Sequence, residues 1–183
     1  MTPVGRHHVV SLRQLSVADA PVLASWGADD EFCRAAEWSR GLTVEQHENR
    51  WLSRLSDGFG PGLLRLGAEL DGGLVGYVDL HGTDEHRREL GYLVGGRERW
   101  GRGLGAAVAR AGLEHAFLAL GLAEVWAEAV GANPASVRIL QGLGMNETGT
   151  GEDHVYRGIP SHYRRFAITA DRWRTLHHDK ETS

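Results

Sequence analysis

The sequence is poor in cysteine: among its 183 residues, Cys33 stands alone. One thiol cannot form a disulfide within the chain, and it cannot supply a cysteine-based metal cluster. The ten histidines fall at no spacing that is typical of metal ligands. We therefore expect neither a disulfide-stabilised fold nor a metal centre.

Long apolar runs and an excess of positive charge are missing as well. No stretch of eighteen apolar residues occurs, and residues 1–8 have no apolar signal core, so we expect a cytoplasmic protein that does not enter a membrane. The formal net charge is −4, with scattered arginines, whereas binding to duplex nucleic acid requires a basic face. Nucleic acid is therefore not an expected partner.

The chain does contain a glycine-rich stretch near its middle, Arg99-Trp-Gly-Arg-Gly-Leu-Gly-Ala106. Alternating glycines permit unusual backbone angles and let another molecule approach the main chain closely. The stretch opens a helix predicted over residues 106–120. Unpaired N–H groups at a helix N-terminus, the helix dipole and the charges of Arg99 and Arg102 all favour an anion. The stretch predicts a pyrophosphate-binding loop, with a plain surface turn as the alternative.

Hydrophobic periodicity and turn residues predict the elements around this loop. Two helices begin near Ala18 and Val44, a third follows Asn133-Pro134, and residues 29–38 form an acidic connector. The predicted strands are residues 9–15, 63–70, 74–80, 89–94, 123–130, 145–148 and 163–168, and residues 171–176 form a final helical turn. This order is typical of a mixed α/β domain and not of a doubly wound parallel sheet.

Two common nucleotide-binding loops do not fit the glycine stretch. A dinucleotide-binding loop needs G-x-G-x-x-G after a first parallel strand, but the third residue after Gly105 is Val108. A P-loop needs Gly-Lys followed by Ser or Thr, which the stretch lacks. Both interpretations are weak, although a nucleotide-binding protein stays open as an alternative.

The glycine loop and its helix are followed by a strand and by a segment from Asn133-Pro-Ala-Ser136 to Leu143-Gly-Met145. With this pair of motifs the sequence resembles the GNAT superfamily of acyl-CoA-dependent N-acetyltransferases. Leu12-Arg13, Glu89-Leu-Gly-Tyr92 and Trp100-Gly-Arg-Gly-Leu-Gly105 resemble the branch of the RimJ and RimL ribosomal-protein acetyltransferases. The resemblance spans residues 9–173. It implies one acyl-CoA N-acyltransferase domain over residues 1–183. Its sheet would have about seven mostly antiparallel, twisted strands, splayed in the middle and flanked by four to five helices.

The resemblance also implies a binding site for acetyl-CoA as co-substrate, with no metal. In the family the glycine loop holds the pyrophosphate of coenzyme A, and the pantetheine arm lies between the strands predicted at 89–94 and 123–130. Where the family favours Gln or Arg, three residues before Gly103, this chain has Trp100. The implied coenzyme-binding residues are Leu93, Val94, Arg99, Arg102, Gly103, Leu104, Gly105, Ala106, Asn133 and Ser136.

By the same resemblance the catalytic residues are Glu89, Leu93 and Ser136. The N–H of Leu93 would stabilise the oxyanion, and Glu89 would take the proton of the amine. The alternatives are a packed Leu93 and a solvent-facing Glu89 that pairs with a neighbouring arginine. Relatives carry a general-acid tyrosine seven residues after the asparagine, where this chain has Leu140. Ser136, Tyr156 or water remain candidates for the acid.

For the acceptor, the resemblance points to the early helices and to the loop between the last two strands. Acidic and aromatic residues there suit a cationic amine. The same residues would serve equally well as solvated surface or packed core. The acceptor-binding residues implied are Glu37, Trp38, His81, Tyr92 and Tyr156, with Glu31, Asp79 and His154 nearby.

The sequence therefore predicts an N-acetyltransferase that transfers the acetyl group of acetyl-CoA to a primary amine by direct attack in a ternary complex. The amine would belong to a protein N-terminus or to a small molecule. A non-catalytic acyl-CoA-binding sensor with the same fold is the main alternative. An exposed strand edge or helix face could support a homodimer.

Overall fold

The computed structural model describes residues 8–181, which form one seven-stranded sheet and six α-helices. The predicted seven strands are confirmed. The strands are β1 (Ser11–Gln14), β2 (Leu63–Leu70), β3 (Gly73–His81), β4 (Arg87–Val94), β5 (Glu124–Val130), β6 (Asn146–Tyr156) and β7 (Ile159–Thr169). The helices are α1 (Ala20–Trp26), α2 (Asp30–Ala35), α3 (Val44–Asp57), α4 (Leu104–Glu114), α5 (Pro134–Gly142) and α6 (Ala170–Glu181).

The sheet is antiparallel except at its centre, where β4 and β5 run parallel. Its strand order is β1-β2-β3-β4-β5-β7-β6. Strands β4 and β5 pair only from Arg87–Glu124 to Glu89–Trp126, although β4 continues to Val94 and β5 to Val130. Beyond that point the two strands part, so the predicted splay in the middle of the sheet is confirmed.

Helix α2 lies where the sequence predicted an acidic connector. Asp29 caps the helix, because its side chain accepts hydrogen bonds from the N–H groups of Glu31 (3.0 Å) and Phe32 (3.2 Å). Phe32 and Cys33 are buried. A helix of six residues completes too few turns to show a 3.6-residue period, and it brings the number of helices to six instead of the predicted four to five.

The last hairpin is much longer than predicted. Strands β6 and β7 have eleven residues each, and the segment expected to be a polar loop is part of them. A two-residue turn joins them, with positive φ angles at Arg157 (52°) and Gly158 (86°), as in a type I′ turn. Strand β6 lies at the edge of the sheet and is mostly exposed, so its polar sequence hides the strand pattern.

The predicted helix starts are confirmed at three caps: Ser16 with Asp19, Thr43 with Gln46, and Asn133. Helix α4 begins two residues before the prediction and continues as a π-helical turn over His115–Ala119. One apolar core lies between the sheet and α4, α5 and α6, and the other between the opposite face and α1, α2 and α3. Within residues 8–181 no helix has the length and apolar character needed to cross a membrane.

Candidate active site

The gap between β4 and β5 is the centre of the candidate site, and strand register decides which backbone groups face it. The N–H of Gly95 donates to the carbonyl of Val75 (2.8 Å), and the β3–β4 register has no shift. In an antiparallel ladder, hydrogen-bonded pairs alternate with pairs that are not hydrogen-bonded. Leu93 is two residues before Gly95, so it forms a hydrogen-bonded pair with Tyr77. The N–H of Leu93 thus faces β3. This corrects its assignment as the oxyanion donor, because Tyr92 and Val94 present their N–H groups to the gap.

Glu89 lies at the fork, since it is the last β4 residue paired with β5. The side chain is half-buried, and burial raises the pKa of its carboxyl above the ordinary 4.5; Glu128 raises it further, while His81 and Arg165 lower it. The alternative pairing with neighbouring arginines is wrong. Arg87 pairs with Glu124 at 2.5 Å, and Arg88 reaches the carbonyl of Asp84. Glu89 is thus a carboxylate at the fork that takes up a proton at a higher pH than an exposed glutamate does.

Two hydroxyl groups meet across the gap. The Oη atom of Tyr92, from β4, lies 3.1 Å from the Oγ atom of Ser136, in the first turn of α5. Burial raises the pKa of Tyr92, and the hydrogen bond with Ser136 opposes that shift. Asn133 fixes the turn, because its side chain accepts a hydrogen bond from the N–H of Ser136 (3.3 Å). Leu140 is fully buried in the core, so the position of the family's tyrosine offers no proton donor.

The glycine loop fits an anionic ligand at its backbone. Gly103 has a φ of +81° and caps α4, and no side chain caps the helix there. The N–H groups of Leu104, Gly105 and Ala106 therefore have no acceptor within the helix. A Cβ atom at Gly103 would meet no atom within 4 Å, whereas one at Gly105 would lie 2.9 Å from Ile139. Gly103 leaves room for a ligand, and Gly105 permits α4 to pack against α5.

The charged and aromatic side chains of the loop differ in availability. Arg99 donates to the carbonyl of Gly95 and to Glu98, at 2.7 Å each, so much of its hydrogen-bonding capacity is used within the loop. Arg102 is exposed and is the more available cation. Trp100 donates its indole N–H to the carbonyl of Val94 (3.0 Å). This bond explains the departure from the family's Gln or Arg, since the side chain holds the loop against β4.

The β6–β7 hairpin reaches over to the region of α2. His154 contacts Glu37 at 2.5 Å, and Arg157 contacts Glu31 at 3.1 Å. Glu37 has a φ of 57°, a strained angle for a residue with a side chain. Tyr156 lies near the turn, and burial raises its pKa, with Glu37 adding to the shift. Glu37 and Tyr156 thus lie near enough for the Glu37 charge to act on the Tyr156 hydroxyl.

Trp38 and His81 have partners of their own. Trp38 lies in a chain of rings that begins at Trp100 beside the glycine loop, with centroid separations of 5.2 to 6.0 Å from each ring to the next. The rings in order are Trp100, Phe32, Trp38, Trp51 and Tyr77. His81 lies 3.7 Å from Asp79 and opposite Glu89 in the β3–β4 register. His81 therefore borders the fork, whereas Trp38 lies farther toward α3.

Sequence reasoning missed a pocket of about 280 Å³ between α3 and strands β2 and β3. We call it the arginine pocket. The signal was present in α3, where His47, Arg50, Trp51 and Arg54 follow the i, i+3, i+4, i+7 spacing of one helix face. The pocket is lined by Ala36, Glu37, Trp38, Ser39, His47, Arg50, Trp51, Arg54, Arg65 and Tyr77.

The sequence pattern of the acetyltransferase (GNAT) domain family matches residues 10–146. The chain therefore belongs to the GNAT acetyltransferase family. The expected enzyme class, an acetyl-CoA-dependent N-acetyltransferase, is confirmed at this level.

Solved structures share the fold at low sequence identity. A GNAT-family acetyltransferase from Bacillus anthracis is 19% identical, with a TM-score of 0.71, and the match covers 91% of this chain and 98% of that one. The spermidine N-acetyltransferase from Vibrio cholerae, solved with CoA and spermine, is 18% identical, with a TM-score of 0.73. That match covers 90% of this chain and 97% of the other. The aminoglycoside acetyltransferase AAC(6')-Ib, solved with coenzyme A, is 19% identical, with a TM-score of 0.69. Here the match covers 91% of this chain and 98% of the other. These similarities confirm the predicted fold.

Proposed function

We propose that this protein transfers the acetyl group of acetyl-CoA to a primary amine by direct attack in a ternary complex. The observation that carries the proposal is the parting of β4 from β5 after Glu89 and Trp126. It leaves the edge of β4 unpaired beside a glycine loop with free helix N–H groups. The two similar enzymes above were solved with coenzyme A, which supports the same ligand here.

The unpaired N–H groups of Leu104, Gly105 and Ala106 would hold the pyrophosphate, with Arg102 adding charge. The pantetheine arm would lie in the gap along β4, near Asn133 and Ser136. There the N–H groups of Tyr92 and Val94 can pair with it and with the thioester carbonyl. A donor aimed at that oxygen stabilises the negative charge that develops during attack.

The remaining side chains supply the proton transfers. Glu89, directly or through water, accepts the proton that the attacking amine must lose. The amine nitrogen bonds to the carbonyl carbon, the carbon–sulphur bond breaks, and the sulphur leaves with the electron pair. The Tyr92–Ser136 pair then gives that sulphur a proton, in place of the missing tyrosine at Leu140. Tyr156, nearer the hairpin turn, is the other candidate for this proton donor.

The test measures release of free thiol from acetyl-CoA in the presence of a panel of primary amines. We expect turnover with at least one amine, and its loss in a Gly103→Glu variant, whose carboxylate would occupy and repel the phosphate position. A Gly121→Glu variant is the matched control, because Gly121 also has a positive φ (67°) with open space around its Cβ position. Failure of acetyl-CoA to raise the melting temperature of the folded protein would contradict the proposal.

Finer assignments follow from the same reasoning. Glu89-Leu-Gly-Tyr92 and the Trp100–Gly105 loop support placing the chain, as one acyltransferase domain, in the RimJ and RimL branch. A protein N-terminus then becomes one candidate acceptor. A homodimer through the exposed edge of β6 is compatible with this proposal. The alternative, a non-catalytic acyl-CoA sensor, predicts the same rise in melting temperature with acetyl-CoA but no thiol release with any amine.

A further inference from the structure

The arginine pocket contains two cations without a carboxylate partner. Arg65 is neutralised, since its guanidinium makes two 2.6 Å hydrogen bonds to Asp79. Arg50 donates to Ser39 (2.8 Å), and Arg54 lies 5.8 Å from the ring of Trp51. Among the side chains described, those of residues 8–177, no carboxylate lies within 4.0 Å of either guanidinium. The pocket therefore has unsatisfied positive charge.

The one glutamate in the lining does not compensate that charge. Glu37 directs its carboxylate to His154 on the β6–β7 hairpin at 2.5 Å. Aromatic rings form part of the lining: Trp38 and Trp51 pack at 5.5 Å, and the Arg65 guanidinium lies 4.2 Å from the Tyr77 ring centroid. Guanidinium groups bind carboxylate and phosphate through paired hydrogen bonds.

The pocket lies on the sheet face that carries Glu89. Its floor is formed by Arg65 on β2 and Tyr77 on β3, and Tyr77 lies directly opposite Leu93 on β4. Tyr77, Asp79 and His81 occupy alternate positions and therefore share the sheet face of Glu89. Glu89 lies one strand and four residues from Tyr77, and two strands and two residues from Arg65. With about 4.8 Å between strands and about 3.3 Å per residue, these backbone separations are about 12–14 Å. Side chains extend into that interval from both ends, so an acceptor with several methylene groups between its amine and its anion fits it.

We propose that the arginine pocket binds an anionic group of the acceptor, so that the preferred acceptors are small primary amines that carry a carboxylate or a phosphate. This inference rests on the acetyltransferase function proposed above. The anion would lie between Arg50 and Arg54, with the amine directed toward Glu89. Polycations such as the spermine bound by the Vibrio cholerae enzyme would meet like charge in the pocket and would be poor acceptors.

The test compares amines that differ only in the anion. Thiol release from acetyl-CoA is measured with glycine, β-alanine, 4-aminobutyrate and 6-aminohexanoate, each against its carboxamide, and with O-phosphoethanolamine against ethanolamine. The first series tests a carboxylate and the second a phosphate. We expect kcat/KM to favour the anionic member of at least one pair by about tenfold or more, as for a charge-assisted hydrogen bond. Spermine is expected to be acetylated more slowly than that acceptor.

Substitutions of the two arginines test whether the preference for anionic acceptors arises in the arginine pocket. In an Arg50→Ala/Arg54→Ala double variant the preference ratio falls toward one, and in Arg54→Glu it inverts. Both arginines are exposed, so the fold tolerates their loss. Arg174→Ala, which removes an exposed arginine paired only with Asp171 on α6, should keep the wild-type ratio. Equal rates for both members of every pair, or a ratio unchanged in the double variant, would overturn the proposal.

Binding separates this inference from the enzyme function. If no amine is acetylated, the acetyltransferase proposal fails, and the pocket is tested with glutarate and with inorganic phosphate alone. A rise in melting temperature that the Arg50→Ala/Arg54→Ala variant loses and Arg174→Ala keeps would support an anion site without catalysis. No rise with either probe would overturn the anion site as well.

Discussion

The Oη atom of Tyr92 and the Oγ atom of Ser136 lie 3.1 Å apart, although 44 residues separate them in the sequence. Tyr92 comes from β4 and Ser136 from the first turn of α5, so their contact crosses the gap where the strands part. Either hydroxyl can donate to the other, and together they form a short route for a proton. The side chains were predicted for different roles, an acceptor contact and a catalytic group, and the structure joins them.

If this pair protonates the departing sulphur, Tyr92→Phe should lower kcat about tenfold to hundredfold, near the lower end for general acid catalysis because a thiolate leaves readily. Ser136→Ala should have a similar effect. The double variant should cost little more than either single variant, since residues that act as one unit are not additive. Steady-state kinetics on all three variants tests this, and full additivity would contradict a shared role.

Glu89 should impose a pH dependence on the reaction. A general base works in its deprotonated form, so kcat/KM should rise as pH increases through the pKa of Glu89. Since burial raises that pKa above 4.5, activity should be lost at a higher pH than for an exposed glutamate. Glu89→Gln should lower kcat/KM about 10²- to 10⁴-fold and remove this acidic limb. Glu85→Gln, at an exposed position in the preceding loop, should leave the pH profile unchanged.

Two glycine substitutions should have opposite effects on stability. A Cβ atom at Gly95 would lie only 2.0 Å from the ring of Trp26, whereas one at Gly142, in α5, would meet nothing within 4 Å. Gly95→Ala should therefore destabilise the fold by about 1–3 kcal/mol through overpacking. Gly142→Ala should stabilise it by about 0.5–1 kcal/mol, because alanine favours a helix. Denaturant unfolding of both variants measures these free energies, and a Gly95→Ala protein as stable as the wild type would contradict the packing argument.

The ion pair between Arg65 and Asp79 should respond asymmetrically to substitution. The exposed fractions of the two side chains are 12% and 10%, so each charge depends on the other. Asp79→Ala leaves a buried cation without its partner, which should lower the free energy of unfolding by about 3–5 kcal/mol. Arg65→Met/Asp79→Ala should cost less than the single change. If Arg65→Met/Asp79→Ala is less stable than Asp79→Ala, this expectation is wrong, and the ion pair itself stabilises the fold.

The sequence predicted those parts of the fold that local patterns encode. Three kinds of feature were predicted correctly from neighbouring residues alone. They are the alternating strands, the glycine turn between β2 and β3, and the helix caps at Thr43 and Asn133. Helix α2 was missed because it is short and depends on Asp29 as its cap. The β6–β7 hairpin was underestimated because an edge strand exposes polar side chains on both faces, which erases the period of two.

The candidate site divides in the same way. The glycine loop and Glu89 are visible in the sequence, because backbone freedom and a strand position are local properties. The direction of the Leu93 N–H is not, since it depends on which residues pair across β3 and β4. The arginine pocket was missed because its lining comes from α3, β2 and β3, which are far apart in the sequence. Only the structure shows Arg50 and Arg54 beside Tyr77.

The chain of rings from Trp100 to Tyr77 has an optical consequence. Four of the six tryptophans belong to one connected aromatic group: Trp26, Trp38, Trp51 and Trp100. At these separations, excitation passes readily between indoles, and the group emits as a unit rather than as four independent fluorophores. A quencher at either end would therefore dim the emission of all four, whether it lies by the glycine loop or in the arginine pocket. A Trp100→Phe protein is needed before a change in emission can be assigned to one end.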